Sequence, residues 1–183
     1  TSSYGTGELL LRARAQGADV IVLGVGGSAT GDLGLGALAA LGLELRAQDG
    51  SLLLPPLPAH WAQAVGFAGA IPAGFPAIHV ACDVDNPLLG PSGAAAVYGA
   101  QKGLFSRDLP RFERQAQRLA LLLRAHFGVR EALEAAPGAG AAGGIAFGLM
   151  AALGARLVPG FPLVSDWLDL EARAAKATYV ISG

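Results

Sequence analysis

Residues 18–32, Ala-Asp-Val-Ile-Val-Leu-Gly-Val-Gly-Gly-Ser-Ala-Thr-Gly-Asp, constrain the fold more than any other part of the chain. The unbroken apolar run Val20-Ile-Val-Leu23 predicts a strand covered on both faces, as parallel strands in α/β proteins are. The glycines that follow let the backbone turn sharply and approach a ligand closely. Ser28 or Thr30 is then placed to cap a helix over residues 32–41. A strand, a glycine turn and a helix start expose amides together, which suits a phosphate or a carboxylate. The same residues also make an ordinary strand-to-helix turn whose hydroxyls only cap, and the residues alone leave both readings open. The loop is not a P-loop, because no Gly-Lys-Ser/Thr ending follows, and it lacks the dinucleotide-fingerprint spacing.

Composition narrows the class. Of 183 residues, 52% are hydrophobic and 15% charged, with a mean hydropathy of +0.47. Gly, Pro and charged residues interrupt every apolar run before the roughly 18 residues a spanning helix needs, so a soluble, cytoplasmic protein is expected. The net charge is -1 and the Lys and Arg residues are scattered, without the basic patch of a nucleic-acid binder. The lone Cys82 excludes an intrachain disulfide and a cysteine-rich zinc site. The chain opens without Met and closes on Thr-Tyr-Val-Ile-Ser-Gly, a strand pattern running into a glycine. It is therefore expected to be an excised piece of a longer protein.

Further along, residues 8–16 predict a helix stopped by Gly17. Residues 43–46 and 51–54 flank an Asp49-Gly50 turn as a small hairpin, and a short strand is expected at 65–68. Residues 76–82 form a second strand with Ile78, Val80 and Cys82 on one face, and Ser92 is placed to cap a helix through Tyr98. Leu109, Phe112, Ala116, Leu119 and Leu123 recur at three- and four-residue spacing, predicting a helix over Leu109–Phe127 ended by Gly128. A glycine-rich loop at 137–144 leads into a helix at 145–153, then a strand at Arg156–Val158, a helix near 164–176 and a last strand at 177–183.

The candidate chemistry lies in polar loops after apolar strands. Gly26, Gly27, Ser28 and Thr30 are candidate anion ligands, and Asp32 is a candidate Mg²⁺ ligand or acceptor of a substrate hydroxyl proton. Asp83, Asp85 and Asn86 follow the second strand, where open α/β sheets place ligands; they suit Mg²⁺ or a polyhydroxy substrate, and equally an Asx-rich turn before Pro87. Gln101 and Lys102 offer a neutral donor and a cation, although for the latter the residues alone favour a solvated helix-end lysine. The loop at 137–144 is either a second anion cradle or a place of close helix packing. His60, His79 and His126 show no metal-ligand spacing, His79 reads as a core residue, and Trp61 and Trp167 read as packing residues.

Taken together, TSSYGTGE (1–8), GGSATGD (26–32), ACDVDNPLLG (81–90), GAQKG (99–103) and PGAGAAGG (137–144) closely resemble, in order, the glycerate kinase type I family. The terminal TYVISG resembles the strand before that family's TGEGR-type loop. The resemblance implies transfer of the ATP γ-phosphoryl group to D-glycerate with Mg²⁺, giving 2-phosphoglycerate. It also implies two α/β domains, one Rossmann-like and split by the other, with the active site between them. On that basis residues 1–176 are expected to be the inserted domain, a three-layer-like mixed α/β unit, and 177–183 a strand of the Rossmann-like one. Asp32 and Lys102 are then the expected catalytic residues. Gly26, Gly27, Ser28, Thr30, Asp83, Asn86 and Gln101 would hold substrate or phosphate, and Asp32 or Asp83 the metal. The family usually has Asn where this chain has Gly31, and its DSFKG and TGEGR-type segments lie outside this sequence, so the chain alone is expected to be inactive. Two other classes stand beside the resemblance: a small-anion-binding or interaction module, and a nicotinamide-dependent oxidoreductase, which needs a longer βαβ unit and an acidic ribose contact that this sequence does not place.

Overall fold

A computed structural model describes residues 1–181. It is a mixed α/β domain with one parallel and one antiparallel sheet. Helix α1 (Tyr4–Ala15) leads to strand β1 (Val20–Gly24), the short helix α2 (Leu35–Ala40) and strand β2 (Leu43–Ala47). Strands β3 (Ala64–Gly69) and β4 (Ala77–Ala81) follow, then α3 (Ala94–Tyr98), α4 (Leu109–Phe127), α5 (Ala141–Leu153), β5 (Arg156–Val158), α6 (Gly160–Leu168) and α7 (Leu170–Ala174). The parallel sheet runs β1-β4-β5, and β2 pairs antiparallel with β3.

The register Ile21↔Ile78 and Leu23↔Val80 puts these residues on one face of the parallel sheet. That face joins a core with Leu33, Leu38, Trp61, Leu119, Leu123 and Phe147. Most of the stability follows from burying such side chains, each worth about 1.5–3 kcal/mol. Helix α4 carries its apolar stripe into this core through Ala116, Leu119, Ala120 and Leu123. It ends at Gly128 with φ +69°, a left-handed C-terminal stop.

Several expectations change on folding. Strand β1 is covered on one face only: Val20 and Val22 are 50% and 37% exposed. The sheet is therefore not the middle of three layers within this chain. The helix expected over 32–41 shrinks to α2, because Leu33 and Gly34 both take left-handed conformations. Neither Ser28 nor Thr30 caps it, and Ser92 does not cap α3. Residues 51–54 make only a bridge, Leu52 to Arg46, while β2 takes β3 as its partner. The helix expected near 164–176 is broken at Asp169, φ +50°, into α6 and α7. Residues 177–181 form no strand; Ser182 and Gly183, the rest of that expectation, lie outside the described residues. Trp61 is buried as expected, but Trp167 is 64% exposed. Among the described residues no helix is long and apolar enough to cross a membrane.

Candidate functional site

Strands β1 and β4 are parallel neighbours with Gly24 beside Ala81, so the loops that follow them emerge at the same end of the sheet. The Val25 amide still donates to the Ala81 carbonyl at 3.1 Å. Beyond it, the amides of Gly26, Gly27, Ser28, Ala29, Thr30 and Gly31 find no acceptor among the described residues. Gly26 and Gly27 are exposed, and Gly27 has φ +60°. A run of free amides at a turn is an anion receptor in chemical terms, offering donors with fixed partial charge.

The loop is held from behind. The Thr30 hydroxyl donates to the Ala142 carbonyl at 3.0 Å, and the Leu33 amide to the Gly143 carbonyl at 3.0 Å. A Cβ on Gly143 would collide with the Thr30 carbonyl oxygen, and this residue also has φ +67°. The 137–144 loop is thus a support for the first loop and not a second cradle. Most of its own amides are paired, among them Gly140 with Asn86 at 3.0 Å and Gly143 with Gly140 at 3.0 Å.

Lys102 reaches the same loop from a 3₁₀ turn, Ala100–Lys102. Its Nζ donates to the Thr30 carbonyl at 2.8 Å and to Ser28 Oγ at 3.1 Å. An ammonium has three donors, so one N–H stays available. Burial pushes the Lys102 ammonium below its ordinary 10.5, while the charge of Asp32 acts against that shift. Beside Lys102 lies a cleft of about 320 Å³, walled by Leu57, Leu88, Leu104, Phe112 and Ala116, with Thr30 and Gly31 along one edge. The Phe112 ring is backed by Trp61 at a centroid distance of 5.2 Å.

Asp32 is in a different situation from the one expected. It is 0% exposed, and its carboxylate accepts from the Ser3 amide (2.8 Å), Ser3 Oγ (2.9 Å) and the amides of Gly34 (3.2 Å) and Gly36 (3.3 Å). Those bonds close it off from any ligand in the loop. The capping work expected of Ser28 or Thr30 is done by Asp32.

Asp83 is exposed, and its Oδ1 accepts from the amides of Gly160 (2.9 Å) and Phe161 (3.0 Å) at the start of α6. Its other oxygen makes no hydrogen bond among the described residues. Asn86 is committed on both ends of its amide: Nδ2 donates to the Ser92 carbonyl (2.8 Å), and Oδ1 accepts from Tyr98 (2.9 Å). Gln101 is exposed next to Lys102. Among the described residues no cluster of three His, Cys, Asp or Glu side chains can hold a metal. Asp32 is closed off by its four hydrogen bonds, whereas Asp83 keeps one carboxylate oxygen free among the described residues.

The whole chain, residues 1–183, matches the model of the glycerate kinase family. The chain belongs to the glycerate kinase family. It is 38% identical to a glycerate kinase of Halalkalibacterium halodurans, covering 100% of this chain and 48% of that protein. It is equally 38% identical to a glycerate 2-kinase of Escherichia coli K12, again covering 100% of this chain and 48% of the relative. A crystal structure assigned as glycerate kinase 2 from Salmonella typhimurium LT2 superimposes with a TM-score of 0.82 at 37% identity, over 97% of this chain and 47% of that one. The chain thus spans about half the length of the relatives it matches.

This glycerate kinase segment also contains residues that sequence reasoning passed over. Ser3, 2% exposed, links the two helix starts: its hydroxyl donates to Asp32 and accepts from the Ala37 amide at 2.9 Å. The hydroxyl-rich TSS opening was its only signal. The left-handed Leu33 and Ala142, φ +59° and +52°, brace the loop from two sides and have no marker in the sequence, since neither is glycine.

Proposed function

We propose that the full-length protein transfers the γ-phosphoryl group of ATP to D-glycerate, giving 2-phosphoglycerate, and that this chain supplies the anion-holding wall of the site. The observation that supports the reading is the run of unpaired amides at Gly26–Gly31 ending against Lys102. In the reaction a glycerate hydroxyl oxygen attacks the γ-phosphorus, the bond from that phosphorus to the bridging oxygen breaks so that ADP leaves with that oxygen, and the hydroxyl proton is released to solvent. Little covalent work falls to the protein; it aligns the reactants and neutralises charge. The Gly26, Gly27 and Ser28 amides hold phosphate or the glycerate carboxylate. Lys102 adds positive charge through its third N–H, and Gln101 adds a neutral donor at the rim. Asp83 orients a substrate hydroxyl through its free oxygen, while Asn86 holds the Asp83 loop in shape. Thr30 and Asp32 act as positioning residues, and a Mg²⁺ ion is assigned no residue of this half.

On this reading residues 1–176 are the domain inserted into a Rossmann-like one, and 177–183 become a strand only beside partners from the remainder. The test is coupled ATP turnover with D-glycerate by the full-length protein and by this chain in parallel. Phosphoglycerate from the first and none from the second is expected. A folded full-length protein that turns over no D-glycerate would overturn the assignment and leave an anion-binding module. Lys102→Met in the full-length protein should lower kcat/KM by about 10²-fold or more, the usual loss for one preorganised charge contact.

A further inference from the structure

Resting on that kinase reading, we infer that the 320 Å³ cleft beside Lys102 seats the base of the phosphoryl-donor nucleotide, and that the acid binds outside it. The cleft is mostly apolar, with Leu57, Pro58, Leu88, Leu104 and Phe112 in its walls and Lys102 at its polar edge. D-Glycerate carries a carboxylate or hydroxyl on every carbon. Buried among those side chains it would leave polar groups unpaired, at a cost of roughly 1–3 kcal/mol each. The nucleotide is the substrate with a flat body of low polarity. At about 320 Å³ the cleft also lies near the lower end of ligand-pocket sizes, about 300–1,000 Å³, which suits one heterocycle and exceeds what a three-carbon acid fills. Phe112, fixed against Trp61 at 5.2 Å, supplies an ordered aromatic wall.

The loop gives the direction. Ala29, Thr30 and Gly31 edge the cleft, whereas Gly26 lies back toward the end of β1, near the Asp83 loop. A base in the cleft sends its phosphates past Lys102 and along the free amides toward Asp83. The γ-phosphoryl group then arrives at the sheet end, where the substrate hydroxyl is held. Seating the acid in the cleft would reverse this order and leave the base at the exposed sheet end, without the apolar walls and the Phe112 ring.

The test uses full-length protein with Ala59→Trp and, separately, Ala95→Leu. Both positions line the cleft and are not fully buried, so larger side chains fill it from the rim. KM for ATP is expected to rise by about tenfold or more, the size of effect that a blocked subsite of modest binding energy gives. KM for D-glycerate should stay within about twofold. An increase in KM for D-glycerate, alone or in step with that for ATP, overturns the inference, as do unchanged constants. The wild-type protein supplies a second readout independent of folding in the variants: photolabelling by 8-azido-ATP, with the labelled peptide identified by mass spectrometry. Label on residues 57–63, 88–104 or 109–116, the segments that wall the cleft, is expected, and label elsewhere overturns the inference. Absence of any glycerate phosphorylation by the wild type is a different failure, that of the kinase reading itself.

Discussion

Asp32 shows how a residue's chemistry depends on what surrounds it. A carboxylate just after a glycine loop suits metal or proton work on paper. In the fold it accepts four hydrogen bonds at the junction of α1 and α2 and meets no solvent. Asp32→Asn removes the charge that strengthens those bonds and points an NH₂ group at N–H donors. A loss of about 2–3 kcal/mol is expected, read as a lower denaturant midpoint, with turnover falling only in proportion to unfolded protein. A variant of wild-type stability with abolished turnover would return Asp32 to the chemistry. Gly143→Ala should cost about 2 kcal/mol or more in the same measurement, since it combines a positive φ with a collision against Thr30. For Lys102 the sign follows from burial. Its folded pKa lies below the ordinary 10.5, so over the window beneath 10.5 the native state gives up this proton before the unfolded state does, and stability gains as pH rises. Anion binding that relies on the ammonium is lost over that same window. The alkaline limb of kcat/KM should therefore lie below 10.5 and move upward in Lys102→Arg, whose guanidinium stays charged.

Among the elements, α4 and β1 make a contrast. Helix α4 forms over Leu109–Phe127 as its periodicity predicts, because a 3.6-residue stripe has one good solution: face the core. Leu119, 0% exposed, sits in the middle of that stripe. Leu119→Ala should cost about 2–5 kcal/mol, visible as a drop in Tm, whereas exposed positions on the other face should change little. Strand β1 is apolar on both faces, yet only Ile21 and Leu23 pack against the core. Its outer residues Val20 and Val22 stay 50% and 37% exposed among the described residues, and periodicity alone does not say where cover comes from. The same limit explains why residues 51–54 failed as a hairpin arm. Turn chemistry at Asp49-Gly50 brings Leu52 to Arg46, but β3 offers β2 a longer ladder.

At the scale of the whole molecule, the exposed face of β1 and the half-length match to relatives belong together. Val20→Thr with Val22→Thr should leave the isolated chain within about 0.5 kcal/mol of its parent. If the remaining half covers those methyl groups, the same pair is expected to cost more than about 1 kcal/mol in the full-length protein. Equal small effects in both would mean that the face is open in the intact enzyme too.

Much of the fold and part of the site were legible beforehand. The β1 and β4 strands, the α4 helix and the polar loops after the strands rest on local pattern: periodicity, glycine placement and ordered motifs. Those are properties of neighbouring residues and survive any context. What the loops do required partners far away along the chain. Thr30 turned to Ala142, Asp32 to Ser3, Asn86 to Tyr98, and Lys102 to Ser28 and Thr30. A side chain with one hydrogen-bonding repertoire serves equally as ligand or brace, and only the distance to a competing partner chooses between them. That distance is set when the elements pack.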